Sequence, residues 1–305
     1  MGRNSKEKRD RKKRDEDARR AERKRVREER TRIAPLTTLL RERTDYADAW
    51  ACTAQHFDAA GHYDWMASRV SGHTRVLEIG TGDGRGTIAL ARAGHCVVSI
   101  DENPACLDAA EHNLRAAGIV AQRVKRETVA VVSGGHRITY GPLAAEPLRE
   151  TVVLVEADVL NDPALWAWAQ ASRFDAVTCW LIGAHVARAE NEALWERRIS
   201  NSGDYRLHVQ NGVYEMADVV LTSGGVLQVV DRRERLASAM LREDCIAGHR
   251  EQAARTTLQV DDSSLQERIY DEPTGGVQMV VTRGASGREP DLRQLALVSI
   301  IARKP

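Results

Sequence analysis

Glu78, Gly80, Gly82 and Gly84 stand at alternate positions in the run Val76-Leu77-Glu78-Ile79-Gly80-Thr81-Gly82-Asp83-Gly84. Glycines at this spacing suit a backbone that must turn tightly and let a ligand approach with no Cβ in the way. A helix that begins behind such a turn presents free N–H groups to a polar ligand. Two familiar uses of a glycine turn fail on single residues. A dinucleotide fingerprint starting at Gly80 needs glycine or alanine at position 85, where Arg85 stands. A P-loop needs Gly-Lys followed by Ser or Thr, and that triplet is absent. Glu78, two residues before the first glycine, suits a ligand that presents an ammonium or a sulfonium instead of phosphates.

Other acids recur at the ends of short apolar runs. Asp101-Glu102 follows Cys96 to Ile100, where a carboxylate can accept both hydroxyls of a ribose. Glu156-Ala157-Asp158 closes the run from Val152, where Asp158 could accept from an adenine amino group. The elements that must hold these acids read as alternating strands and helices. Strands are expected at Arg75 to Ile79, Cys96 to Ile100, Val152 to Glu156, Asp175 to Trp180 and Gly225 to Val230, all short and apolar as buried parallel strands are. Helices are expected at Thr87 to Ala93 and at Pro104 to Ala117, the latter with Gly118 to cap it. Alternation of this kind implies right-handed crossovers and an α/β, doubly wound, mostly parallel sheet. The acids then share one carboxyl edge, the edge at which open α/β sheets bind ligands.

With these residues in place the sequence resembles the class I S-adenosylmethionine-dependent methyltransferases. The resemblance rests on the acid and glycines Glu78, Gly80, Gly82 and Gly84, on Asp101 with the following Asn103-Pro104, and on Asp158. It continues through Phe174-Asp175 at the fourth main strand and Gly224-Gly225 before the fifth. It implies a Rossmann-like sheet with an antiparallel C-terminal strand, and S-adenosyl-L-methionine as cofactor. Carried over residue by residue, it implies that Glu78 and the backbone of Gly80, Thr81 and Gly82 hold the methionine part. Asp101, with Glu102 beside it, would take the ribose, and Asp158 the adenine.

Three regions are expected: a highly charged arm over 1–34, a helical cap over 35–73 and the Rossmann-like domain over 74–305. The cap is rich in aromatic and histidine residues (Trp50, His56, Phe57, His62, Tyr63, Trp65), which read as core packing with a pocket wall as the alternative. Two insertions interrupt the domain. Residues 123–150 read as a β-hairpin, with Thr128 to Val132 and Arg137 to Tyr140 flanking Ser133-Gly134-Gly135. Residues 185–222 read as a long, mostly helical connection broken at Asn201-Ser202-Gly203, a place for a substrate cover. Near the end, Val277 to Thr282 and Leu295 to Ile301 read as two strands joined through Gly284-Ala285-Ser286-Gly287.

The methyl acceptor is expected near the end of the fourth main strand, Thr178-Cys179-Trp180-Leu181-Ile182-Gly183-Ala184-His185. The Asp/Asn-Pro-Pro-aromatic signature of amino-methylating nucleic-acid enzymes is missing there. A base is required only where the acceptor loses a proton as it attacks, and His185 is the candidate. His62, Tyr63, Tyr205 and His208 are weaker candidates, Cys179 reads as a buried small hydrophobe, and Asp175, at the opposite end of its strand, reads as structural.

Formal net charge is +1, with 45 Lys+Arg and 44 Asp+Glu, yet the charge is unevenly placed. Residues 1–32 hold 16 basic and 8 acidic side chains, so the remainder is acidic overall. The arm has no apolar stripe, and its charges pair at i,i+4, so it reads as a solvated helix or a disordered segment. Contact with nucleic-acid phosphates is the alternative. It also lacks the apolar stretch of a secretory signal, and Lys6 stands where a myristoylation signal wants Ser or Thr. Five cysteines without a CxxC pair argue against a disulfide framework or a metal site, and no apolar run approaches membrane-spanning length. A cytoplasmic enzyme is expected, acting on a small molecule or a protein side chain. An RNA-associated methyltransferase or RNA-binding module recruited by the arm is the alternative, and the oligomeric state is left open.

Overall fold

The computed structural model describes residues 34–144, 151–199, 201–278 and 290–305. The expectation for the charged arm therefore falls outside the described residues.

Strands β1 (Arg75–Ile79), β2 (Cys96–Asp101), β6 (Val152–Glu156), β7 (Phe174–Trp180) and β8 (Leu221–Glu234) are parallel neighbours in the order β6-β2-β1-β7-β8. All five residues of β6 are buried, as are four of five in β1, because helices cover both faces of a parallel sheet. β3 (Ala121–Val124) adds a parallel edge beside β6. On the other side β10 (Leu295–Arg303) runs antiparallel to β8 and to the outermost strand, β9 (Gln259–Tyr270). The sheet is thus doubly wound and mostly parallel with an antiparallel C-terminal strand, as the resemblance implied. From β1 the chain winds outward through β2 to β6 on one side, and β7 and β8 lie on the other. The switch point therefore falls between β1 and β7.

The helices are α1 (34–59), α2 (His62–Ser68), α3 (Arg85–Arg92), α4 (Pro104–Ala116), α5 (Pro163–Ala171), α6 (Ser202–Val220) and α7 (Ala239–Ala253). Their starts are written in the chain. Asn103 and Asp162 each accept a backbone N–H one turn in, from Ala105 and Leu165, and each is followed by proline at the first helical position. Asp175 acts structurally, as expected: its two carboxylate oxygens accept the N–H groups of Thr74 at 2.8 Å and Arg75 at 2.6 Å, fixing where β1 begins.

Two expectations need correction, and one is met. The strand expected at Val277 to Thr282 is not the partner of β10: Val277 and Gln278 are not in a strand, and the rest lies outside the described residues. The partner is β9, whose Asp261, Asp262, Glu267 and Arg268 hid it from an apolar pattern, as charges on an edge strand do. Residues 185–222 are not one insertion: α6 is the crossover that the parallel β7–β8 pair requires, and only the two 3₁₀ turns, Val186–Glu190 and Glu192–Arg197, are additional. The hairpin inserted after β3 is formed by β4 (Glu127–Val132) and β5 (Gly135–Tyr140), in register with Val132 opposite Gly135.

Candidate functional site

A cleft opens at the carboxyl ends of β1, β2, β6 and β7. Gly80 and Gly82 form one wall, Asp101 and Glu102 another, Asp158 a third, and Leu181 to Gly183 close the β7 side. Five of the sequence-expected residues, Gly80, Gly82, Asp101, Glu102 and Asp158, therefore meet at one place.

The turn is held from below and covered from above. Gly80 and Thr81 donate their N–H groups to the carbonyl of Ile100, at 2.9 and 3.2 Å, and Gly82 donates to Oδ2 of Asp101 at 3.0 Å. Gly82 has φ 55°, and a Cβ there would stand 2.4 Å from Nε1 of Trp50, which leans over the turn from α1. Trp50 thus belongs both to the core and to the cleft wall, joining the two readings of the aromatic-rich cap. Tyr46, one turn earlier, lies against Gly183 and lines the cleft as well.

Thr81, Gly84 and Glu78 sit behind the turn, outside the cleft lining. Thr81 shares a 2.7 Å hydrogen bond with the hydroxyl of Ser99 in the sheet interior, and Gly84 caps α3. Glu78 is 2% exposed and accepts from Oγ1 of Thr87 at 2.6 Å. Burial pushes its carboxyl up from 4.5 to about 7, against the lowering effect of the Ser99 and Thr87 hydroxyls.

The three acids of the cleft differ in their partners. Asp101 accepts from Asn103 N at 2.9 Å as well as from Gly82, and burial, aided by neighbouring Glu102, raises its carboxyl to about 6. Glu102 faces three side chains: Arg43 of α1 at 3.5 Å, and Nε2 of His185 at 3.2 Å and Nε of Arg188 at 3.8 Å from the first 3₁₀ turn and its cap. Burial would raise its carboxyl, but Arg188, His185 and Arg43 outweigh burial and hold it well below the usual range. Asp158 is ion-paired to Nη2 of Arg188 and accepts from Leu160 N at 2.9 Å. Asp101 is therefore the cleft acid without a direct cationic partner, and Glu102 and Asp158 spend part of their acceptor capacity inside the protein.

His185 is 3% exposed and lies beside the cleft, not in its lining; its contact with Glu102 connects it to the cleft wall. Of the weaker candidates, Tyr205 lines the cleft, whereas His62 and Tyr63 are buried in α2, outside the cleft lining. Cys179 is fully buried in the main core, where burial pushes its thiol well up. Sequence reasoning missed Arg43 and Arg188. Each is a buried arginine in a segment without strong periodicity, and its partners lie on other elements. Among the described residues no cluster of His, Cys, Asp and Glu could hold a metal ion, and no helix is long and apolar enough to cross a membrane.

No family model and no curated protein matches the chain. Solved structures superpose on it distantly. A SAM-dependent methyltransferase from Agrobacterium tumefaciens matches with a TM-score of 0.43 and 14% identity over 81% of this chain and 61% of its own. A ribosomal protein L11 methylase from Lactobacillus delbrueckii subsp. bulgaricus gives 0.40 and 15%, over 81% and 79%. TrmN from Thermus thermophilus gives 0.40 and 13%, over 80% of this chain and 48% of its own, so the chain spans about half the length of TrmN. Similarity this distant lends no role to any residue of the site.

Proposed function

We propose that this chain, with its doubly wound sheet of the class I S-adenosylmethionine-dependent methyltransferase type, transfers a methyl group from S-adenosyl-L-methionine to a small-molecule or protein acceptor. The observation that carries the reading is the glycine turn at the switch point facing Asp101. Gly80 and Gly82 line the cleft, and Cβ atoms there would strike Ile182 at 2.8 Å and Trp50 at 2.4 Å, so glycine is what lets those side chains close over the turn. Asp101 stands beside it with capacity for ribose hydroxyls, and the cleft acids supply negative charge toward a sulfonium ligand. The fit of Glu102 and Asp158 to the sugar and base is through the acceptor capacity that their arginine contacts leave over.

The cofactor would supply a methyl carbon already activated by positive sulfur. What remains for the protein is to align the acceptor in line and exclude water. Tyr46 and Trp50 from α1 cover the cleft. Where the acceptor is a hydroxyl, its proton must leave as the new bond forms. Nε2 of buried His185 lies 3.2 Å from Glu102, and neither ring nitrogen makes a hydrogen bond among the described residues. His185 is the base of this proposal, and Glu102 its orienting carboxylate.

Calorimetry with S-adenosylhomocysteine and label transfer from S-adenosylmethionine to a metabolite extract test the reading. Saturable binding lost in Asp101→Ala is expected. No binding at millimolar ligand would refute it. The alternative, an RNA-associated methyltransferase, rests on the charge of residues 1–32. Deleting them should abolish RNA retention at low salt if the arm is the anchor.

A further inference from the structure

Beside the acidic cleft lies a cavity of opposite sign. It holds about 560 Å³ between the end of β7, the two 3₁₀ turns and the start of α6. Arg188, Arg198 and His185 line it, and no Asp or Glu does. The cleft shows the reverse, being lined by Asp101, Glu102 and Asp158 and by no Arg or Lys. The ring of Tyr205 belongs to both walls.

Two buried groups at the cavity have open polar atoms. Arg188 and His185 are each 3% exposed, yet Nη1 of the one and both ring nitrogens of the other make no hydrogen bond among the described residues. A buried polar atom left unmade costs about 1–3 kcal/mol, so such atoms mark places where a ligand or water completes the site. Leu194 and Ile199 make the inner wall apolar, while Trp195, 43% exposed, and Val186, 79% exposed, leave large apolar surface open at the mouth. Apolar walls, an aromatic ring, the open Nη1 of Arg188 and the neighbouring Arg198 together select a flat apolar body bearing an anion.

We propose that this cavity is the methyl-acceptor site and that its ligand is a hydroxylated aromatic carboxylic acid. The ring packs against Trp195 and Leu194, the carboxylate meets the arginines, and the hydroxyl faces His185 and the cleft. In the reaction the sulfur–methyl bond breaks as the oxygen–methyl bond forms, the hydroxyl proton passes to an open ring nitrogen of His185, and the neutral thioether leaves. The methylation of the hydroxyl rests on the methyl-transfer reading; the affinity for an aromatic carboxylate does not.

Titration of the full chain with 4-hydroxybenzoate, 4-hydroxyphenylacetate and 4-hydroxycinnamate, each beside its amide, tests the assignment. At least one acid should bind ten or more times tighter than its amide. Arg198→Gln should remove most of that ratio. Ala189→Trp, at an exposed lining position, should abolish acid binding while thermal unfolding and S-adenosylhomocysteine binding stay unchanged. Equal binding of acids and amides, no binding by any of them, or unchanged binding in Ala189→Trp overturns the proposal. Acid binding without S-adenosylhomocysteine binding overturns the methyl-transfer reading alone. Cofactor binding with indifference to all three acids overturns the acceptor class alone.

Discussion

Nε2 of His185 lies 3.2 Å from Oε1 of Glu102, and Nε of Arg188 lies 3.8 Å from the same oxygen. One carboxylate at the end of β2 therefore holds two side chains that line the basic cavity while itself lining the acidic cleft. Arg43 reaches it from α1, bonded at 2.6 Å to Glu127 of the inserted hairpin. The cap, the hairpin, the sheet edge and the 3₁₀ turns are joined through this one group. Its charge is compensated on three sides, which is the condition for keeping an ionised carboxylate buried.

Replacing Glu102 with Gln removes the charge but keeps the shape. Breaking a buried ion cluster from one side costs about 3–5 kcal/mol, because Arg188 and Arg43 lose part of their compensation. The pH dependence has a definite sign. The carboxyl is held below its ordinary value, so its contribution is fully present above the usual carboxylate range and is lost as pH falls through the depressed value. Urea unfolding at pH 7 should show the full loss in Glu102→Gln and a smaller difference from wild type in strong acid. A difference that grows toward acid would contradict the ion-cluster account.

Glu78 predicts the opposite slope. Its carboxyl is raised from 4.5 to about 7, so the folded state binds the proton more tightly than the unfolded chain does. Stability from this group is complete below the unfolded value, falls as pH climbs through 7, and is level above it. Glu78→Gln is neutral at every pH and escapes that loss. The variant should be more stable than wild type at pH 8 by up to about 3 kcal/mol, with the advantage vanishing near pH 4. Unfolding curves at both pH values check it.

Asp101 and Asp158 could be placed from the sequence because right-handed crossovers force successive strand ends onto one edge, whatever the details of packing. The structural use of Asp175 followed from the same logic, as the opposite end of its strand. The partners of these acids could not be placed. Arg188 meets Asp158 from a 3₁₀ turn with no periodicity to announce it, and Arg43 meets Glu102 across 59 positions of chain. Trp50 was noticed as an aromatic, but its position over Gly82 depends on how α1 crosses the sheet edge, which no local pattern encodes. Strand β9 escaped because an edge strand may carry charges on its open side, which erases the apolar signal that located the central strands.

Gly84 allows two effects to be separated. Its φ is 84°, and an added Cβ would stand 2.8 Å from Cα and Cβ of Ala110 in α4. Gly94 has φ 92° with nothing within 4 Å of an added Cβ. Gly94→Ala should therefore report backbone strain alone, about 1–2 kcal/mol, and Gly84→Ala strain plus displacement of α4, about 2–4 kcal/mol. Denaturant midpoints for the two variants give the comparison. Equal losses would mean that α4 shifts at no cost and that the close packing of α3 on α4 is not what fixes this glycine.

Arg126 closes the hairpin onto the sheet. Its Nη1 and Nη2 meet Oδ2 and Oδ1 of Asp162 at 2.6 and 3.1 Å, while Nη1 also donates to the Glu156 carbonyl at 3.0 Å and Nε to that of Gly141 at 2.9 Å. Asp162 at the same time caps α5, accepting from Leu165 N at 3.0 Å. Arg126→Leu should cost about 3–5 kcal/mol, since it strands a buried carboxylate and two carbonyls. Asp162→Asn keeps the cap and removes the charge. In the double variant the leucine no longer leaves a buried anion behind, so the two losses should fall short of their sum by more than about 1 kcal/mol. Strict additivity in a urea-unfolding cycle would place the stabilisation in the carbonyl contacts and not in the ion pair.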